Sequence, residues 1–346
     1  MKAARLETLG KPLQIRDIAI PAVGRNGILV KVKSAGVCHS DVHLRDGGYG
    51  PIKVTKDLGA KLPITLGHEI AGIIEEVGQD VKGFSAGESV AVDPWIGDGT
   101  CRYCINGLDN ICDHPYNLGE NTDGGYAEFV NVPDFRYVGR ISNMFPEAAL
   151  LSCSGLTAYS AIRKGMFTPE MSLLIVGAGG GLGTMAVQLA KVMGSPEIIA
   201  ADINEDSLQK IRELGAKHAV NVNEKGFQKE IFSLTNGYGP DVIIDLNASD
   251  WSLSTFIPMM AKGGKYIMVG LYGGKINYSA PLLINFQRNI LSSVVGTVRE
   301  FKELIQLFNN GYIKSTVTSA VTLKEVNTAL DNLKQGNIKG RQVVKF

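Results

Sequence analysis

The segment SLLIVGAGGGLGTMAVQLAKV, residues 172–192, opens with an apolar run, passes through a cluster of glycines and continues with apolar residues at helical spacing. That succession predicts a buried strand, a tight turn and a helix over 181–193. The same rhythm continues outward. EIIAAD at 197–202 precedes a helical stretch at 204–214, HAVNV at 218–222 precedes 226–235, and DVIIDL at 241–246 precedes 250–261; KYIMVG at 265–270 and ILSSVVG at 290–296 complete six runs. Six apolar runs in βαβ order give an α/β fold with a doubly wound parallel sheet built from two mononucleotide-binding halves. Upstream the text changes to short alternating runs, ILVKVKSAGV at 28–37, EIAGIIEEVG at 69–78, SVAVDPW at 89–95 and YAEFVNVP at 126–133, a mostly β pattern. The expected organisation is a β-rich catalytic domain at 1–152, a dinucleotide domain at 153–297, and a segment at 298–346 whose final QVVKF returns as a strand to the first domain.

Glycines between a buried strand and a helix let the backbone approach a pyrophosphate, whose charge then faces free N–H groups and the positive end of the helix dipole. The cofactor-binding candidates are Gly177, Gly179, Gly180, Gly181, Leu182 and Gly183, spaced GxxGxxG rather than GxGxxG, so which glycine faces which phosphate stays open. Asp202 closes the next strand of this Rossmann pattern, where a carboxylate accepts hydrogen bonds from the adenosine ribose and repels a 2′-phosphate; Ile203 and Asn204 bring no cation. NAD is therefore expected over NADP. A glycine-rich core turn with a surface Asp is the alternative. Leu173 to Ala190 is apolar enough to resemble a membrane span, but it divides into a strand and an amphipathic helix, so no membrane is expected as partner.

The chain has 346 residues, 35 Lys plus Arg against 34 Asp plus Glu, and a formal charge of +1. That balance lacks the basic footprint of a nucleic-acid binder, so no nucleic acid is expected. MKAARLETLG shows no basic start, apolar run or small-residue cleavage site, which predicts a cytoplasmic location. Five cysteines in such a chain point to metal or catalysis rather than disulfides. Cys101, Cys104 and Cys112, with Asp98 ahead of them, form a compact lobe whose thiolates and carboxylate suit a closed, structural zinc shell. Cys38, His68 and Cys153 lie far apart in sequence. Together they would make an open three-ligand shell with room for water or substrate; separately they are core residues, and spacing leaves both readings standing.

GHExxG at 67–72, CHSD at 38–41, the D-x2-C-x2-C-x7-C lobe and the glycine turn together resemble the zinc-dependent medium-chain alcohol dehydrogenases, nearly end to end. The similarity is greatest to the archaeal NAD-dependent branch, where a carboxylate also opens the lobe. The resemblance implies a GroES-like catalytic domain beside the Rossmann domain and two zinc ions per chain. It implies that Cys38, His68 and Cys153 ligate a catalytic zinc, with Glu69 as a carboxylate able to approach the metal and Asp41 as the acid that orients the imidazole. Ser40 and His43 match a proton relay that runs from the substrate oxygen through the cofactor ribose. Arg341 matches an arginine on the cofactor phosphate. His39, His114 and His218 match no role.

The implied reaction is reversible, NAD-linked oxidation of primary and secondary alcohols to aldehydes and ketones by hydride transfer from a zinc-bound alkoxide. The partner is thus a small-molecule alcohol or carbonyl compound. Trp95 matches a substrate-pocket wall, with Leu271 and Ile284 as further lining, and an apolar wall favours medium-chain and aromatic alcohols over polyols. A polyol or amino-alcohol dehydrogenase of the same family is the competing enzyme, and an NAD-binding regulator without activity the competing class. Family members associate through the edge of the Rossmann sheet, so a homodimer or homotetramer is expected, with 290–296 at that edge.

Overall fold

A computed structural model describes residues 1–195, 197–315, 317–338 and 340–346. The chain forms two compact units, one of Met1–Leu156 with Gly296–Phe346 and the other of Thr157–Val295. In the second unit the strands Ser172–Val176, Glu197–Asp202, His218–Asn221, Val242–Asp245, Lys265–Met268 and Asn289–Ser292 make one parallel sheet in the order third, second, first, fourth, fifth, sixth. The order reverses beside Ser172–Val176, the place where a doubly wound sheet opens a crevice for a ligand. Leu174, Val176, Ile199, Ala201, Ile243 and Tyr266 pack with Ile231 and Phe256 in its core.

The helix after Ser249 is shorter than the spacing predicts. It covers Asp250–Phe256: Ile257 still has helical backbone, but Pro258 offers no N–H to continue the ladder. ILSSVVG likewise pairs only through Ser292, in the strand Asn289–Ser292.

The first unit is organised around the strand Ile28–Gly36. Along one edge it pairs antiparallel with Glu69–Val77, with Gly36 opposite Glu69. The other edge is shared: Phe129–Val132 takes residues 28–31, and the C-terminal strand Arg341–Lys345 takes 34–36, with Val343 opposite Gly36. Ile28, Val30, Val32, Ile70, Ile74, Val90, Val92 and Val344 are buried in its core. Among the described residues no helix is long and apolar enough to cross a membrane.

Candidate metal and dinucleotide sites

Strand register brings the first set of candidate ligands together. Because Gly36 faces Glu69, the chain leaving the first strand reaches Cys38 beside His68, which immediately precedes the second. Cys38 caps the helix His39–Asp46, and Asp41, at its third position, accepts the Cys38 backbone N–H at 3.0 Å. Cys153 follows the short turn Leu150–Ser152, and its Sγ lies 4.0 Å from that of Cys38. One ligand atom each of Cys38, His68 and Cys153 lie within 4.8 Å of one another.

The His68 ring is held from behind. Asp41 Oδ1 faces Nδ1 at 3.1 Å and accepts the Gly67 N–H at 3.2 Å, while Oδ2 accepts the Tyr126 hydroxyl at 2.8 Å. Burial alone would lower the imidazole's basicity, but the Asp41 carboxylate and Cys38 outweigh it and raise the pKa well above the usual value. Nε2 is buried beside the Cys38 thiol and has no hydrogen-bond partner within bonding geometry among the described residues. A buried, unpartnered nitrogen is costly, and two thiols next to it complete a soft donor set that fits zinc. Tetrahedral Zn–S bonds of about 2.3 Å put sulfurs about 3.8 Å apart, close to the observed separation. Cys38 is the thiol that ionises readily, its pKa lowered by the Cys153 thiol and by His68.

Gly67 fits here for a steric reason. Its φ is +89°, and a Cβ would lie 2.6 Å from the Tyr126 ring. Tyr126, for which the sequence offers no spacing signal, therefore both packs on the turn and anchors Asp41.

Glu69 is buried. Its Oε2 pairs with the Arg341 guanidinium, and Oε1 accepts the Ser154 N–H at 3.3 Å. Burial pushes its carboxyl up to about 7 against the pull of Arg341. Arg341 is thus placed beside Glu69 by its strand. Ser40 and His43 lie on one helix, three residues apart and so on one face, both half-buried. Tyr49 stands beside Ser40, and its ring centre is 5.5 Å from that of His43. Trp95 is buried, 5.5 Å from His68 between ring centres, with its indole N–H on the Ser152 carbonyl. Leu271 and Ile284 belong to the other unit, where both are exposed.

The second set is a lobe in which ligand atoms of Asp98, Cys101, Cys104 and Cys112 lie within 4.8 Å of one another. The sulfurs of Cys101 and Cys112 are 3.8 Å apart. Asp98 Oδ1 accepts the backbone N–H groups of Cys101 and Thr100 at 2.9 and 2.8 Å, which hold the carboxyl well below the usual range. A carboxylate whose charged form two N–H groups favour, beside three thiols, is a donor set that fits a closed zinc shell.

In the second unit the turn from Ser172–Val176 begins at Gly177, and the helix Gly181–Val192 starts after Gly180 with no side-chain cap, leaving its first N–H groups for an anion. Gly183 lets that helix sit close, since a Cβ there would lie 2.3 Å from the Ala178 carbonyl oxygen. Leu182 is half-buried. Asp202 reaches over the turn: Oδ2 accepts the Gly179 N–H at 2.8 Å, and Oδ1 accepts those of Ile203 and Asn204 at 2.8 and 3.1 Å. The glycine turn and the acid are therefore one hydrogen-bonded unit.

Comparison with known proteins places the fold in a family. Residues 181–310 match the zinc-binding dehydrogenase family, and residues 24–142 match the alcohol dehydrogenase GroES-like domain. The chain is 46% identical over 345 residues to an NAD-dependent alcohol dehydrogenase of Sulfurisphaera tokodaii, and 45% identical to one of Saccharolobus solfataricus, each alignment covering 99% of both chains. The crystal structure of the alcohol dehydrogenase from Aeropyrum pernix superposes with a TM-score of 0.91 at 36% identity, covering 100% of both chains. With full-length relatives at this identity and both domains matched, the chain belongs to the zinc-dependent medium-chain alcohol dehydrogenases.

Proposed function

We propose that Cys38, His68 and Cys153 hold the zinc at which this chain oxidises alcohols reversibly to aldehydes and ketones with NAD, and that Asp98, Cys101, Cys104 and Cys112 hold a second, structural zinc. The observation that carries the reading is the buried Nε2 of His68, without a hydrogen-bond partner among the described residues and next to two thiols. When bound, zinc supplies Lewis acidity toward the alcohol oxygen and the nicotinamide supplies the hydride acceptor. The rest is the work of side chains. Asp41 fixes the proton of His68 on Nδ1, which keeps the Nε2 lone pair for the metal. Two thiolates and one imidazole leave a fourth direction for the substrate oxygen. Ser40 Oγ takes the hydroxyl proton and His43, one turn along the same helix face, receives it at the imidazole. Trp95 walls the site beside His68.

Asp202 supports NAD over NADP, its carboxylate standing over the glycine turn with the exposed Ile203 next to it. The edge strand Asn289–Ser292, with Leu291 and Val294 exposed, supports association of copies into a homodimer or homotetramer. Five thiols, all free, suit a reducing cytoplasm.

Zinc content per chain, measured together with NAD-linked alcohol oxidation on wild type and His68→Ala, tests the proposal. About two zinc ions falling to about one, with activity lost, is the expected result for an open site beside a closed one. An active wild type holding a single zinc would remove the second site.

A further inference from the structure

The surroundings of His68 include a carboxylate that none of the roles above uses. Tyr116–Asn117 pairs antiparallel with Trp95–Ile96, Asn117 opposite Trp95, and the turn that follows carries Glu120. Glu120 is 8% exposed. It lies within electrostatic reach of His68, and its own charge helps raise the pKa of the half-buried Tyr49 phenol, behind burial itself. Tyr49 in turn stands beside Ser40 and His43. Strand pairing thus sets the Glu120 turn beside Trp95, whose ring lies 5.5 Å from that of His68, all within the first unit.

A buried carboxylate is costly without partners that hydrogen-bond to it or neutralise it. Glu120 has few. Oε2 accepts the Asn117 Nδ2–H at 2.5 Å, and among the described residues neither a hydrogen bond to Oε1 nor an ion pair with Lys or Arg is present. Fastening the turn does not require the carboxylate. The N–H groups of Glu120, Asn121 and Thr122 all reach the Asn117 carbonyl, and Asn121 Oδ1 accepts the Asn117 N–H. Oε1 is not among the fully buried, unpartnered atoms, so it is open to a donor that arrives with the ligand.

We propose that Glu120, with Tyr49 beside it, is a specificity-determining residue that accepts a hydrogen bond from a second donor on the substrate, making diols or amino alcohols preferred over simple alcohols. The inference rests on Cys38, His68 and Cys153 being the reaction centre. The expectation of an apolar wall then holds on the Trp95 side only.

The test is kcat/KM with NAD for 2-butanol, 2,3-butanediol and 3-amino-2-butanol on the full-length zinc-loaded protein, as wild type, Glu120→Leu, Glu120→Gln and Tyr49→Phe. A hydrogen bond to a charged acceptor predicts that Glu120→Leu lowers the diol to 2-butanol ratio by about 10- to 100-fold, chiefly through KM. Glu120→Gln separates the two donor types: it keeps an acceptor for a hydroxyl but loses the charge that an ammonium needs. Equal losses on all three substrates, or an unchanged ratio, would overturn the proposal and leave Glu120 as a turn fastener. Should the leucine variant fail to fold, the ratios in Glu120→Gln and Tyr49→Phe decide in the same way. A wild type that oxidises none of the three would instead sink the reading of the reaction centre.

Discussion

Replacing Asp41 by Asn probes how the His68 imidazole is held, because the four donors around the carboxylate divide two to each oxygen. Oδ1 takes His68 Nδ1 and the Gly67 N–H; Oδ2 takes the Cys38 N–H and the Tyr126 hydroxyl. An amide keeps only one oxygen. If its NH2 replaced Oδ1, it would face a backbone N–H and force His68 into the tautomer whose proton blocks the metal. If it replaced Oδ2, the Tyr126 hydroxyl could reverse, accepting from the amide and donating to the Gly36 carbonyl 3.2 Å away. The second arrangement strands only the Cys38 N–H, at a cost of about 1–3 kcal/mol. His68 then donates to a neutral acceptor, and loss of such a charged partner behind a metal ligand lowers metal affinity by about 10- to 100-fold.

Asp41→Asn is therefore expected to bind its catalytic zinc about 10- to 100-fold more weakly in chelator competition, while the lobe zinc is retained. Adding Tyr126→Phe removes the hydroxyl that makes the rescue, so the double variant should lose more than the two single variants summed. A zinc affinity within about threefold of wild type, or strict additivity in the double variant, would refute this account of how the imidazole is oriented.

Two further outcomes follow from the other sites. Asp202→Ala should lower kcat/KM for NAD by about 10- to 100-fold, the worth of hydrogen bonds to a charged acceptor, and narrow the preference over NADP; steady-state kinetics with both cofactors would show an unchanged ratio if the acid plays no part in the choice. Asp98→Ala should reduce zinc from about two ions per chain to about one, because three thiolates no longer close a four-ligand shell. Metal analysis that still finds two would remove Asp98 from the ligand set.

The dinucleotide turn was legible because its signals are local: an apolar run, glycines and helical spacing within one short segment give Ser172–Val176 and Gly181–Val192. The helix His39–Asp46 was not. It is short and polar, and CHSD, whose Asp41 accepts the cap N–H, reads as a ligand motif before it reads as a helix start. The strands Trp95–Ile96 and Tyr116–Asn117 are two residues each, too short to carry a period, so nothing in the text brings Glu120 toward His68. Likewise Cys38, His68 and Cys153 could be joined beforehand only by family resemblance, since what unites the first two is the pairing of Gly36 with Glu69, and what adds Cys153 is the turn Leu150–Ser152 held against Glu69 and Ile70.

That same pairing explains why the last strand matters to the metal-site region. Glu69, Gly36 and Val343 form one row across three strands, and Arg341, two residues before Val343, meets the Glu69 carboxylate from that row. Gly36 keeps the row open, for a Cβ there would lie 1.9 Å from Glu69 Oε2. Without the guanidinium, burial would push the Glu69 carboxyl still further above its ordinary range, leaving a buried acid with the Ser154 N–H as its hydrogen-bond partner among the described residues. The C-terminal strand therefore does more than extend a sheet. By pairing with Glu69 it offsets part of the cost of burying that carboxylate and ties the C-terminus to the strand that follows His68.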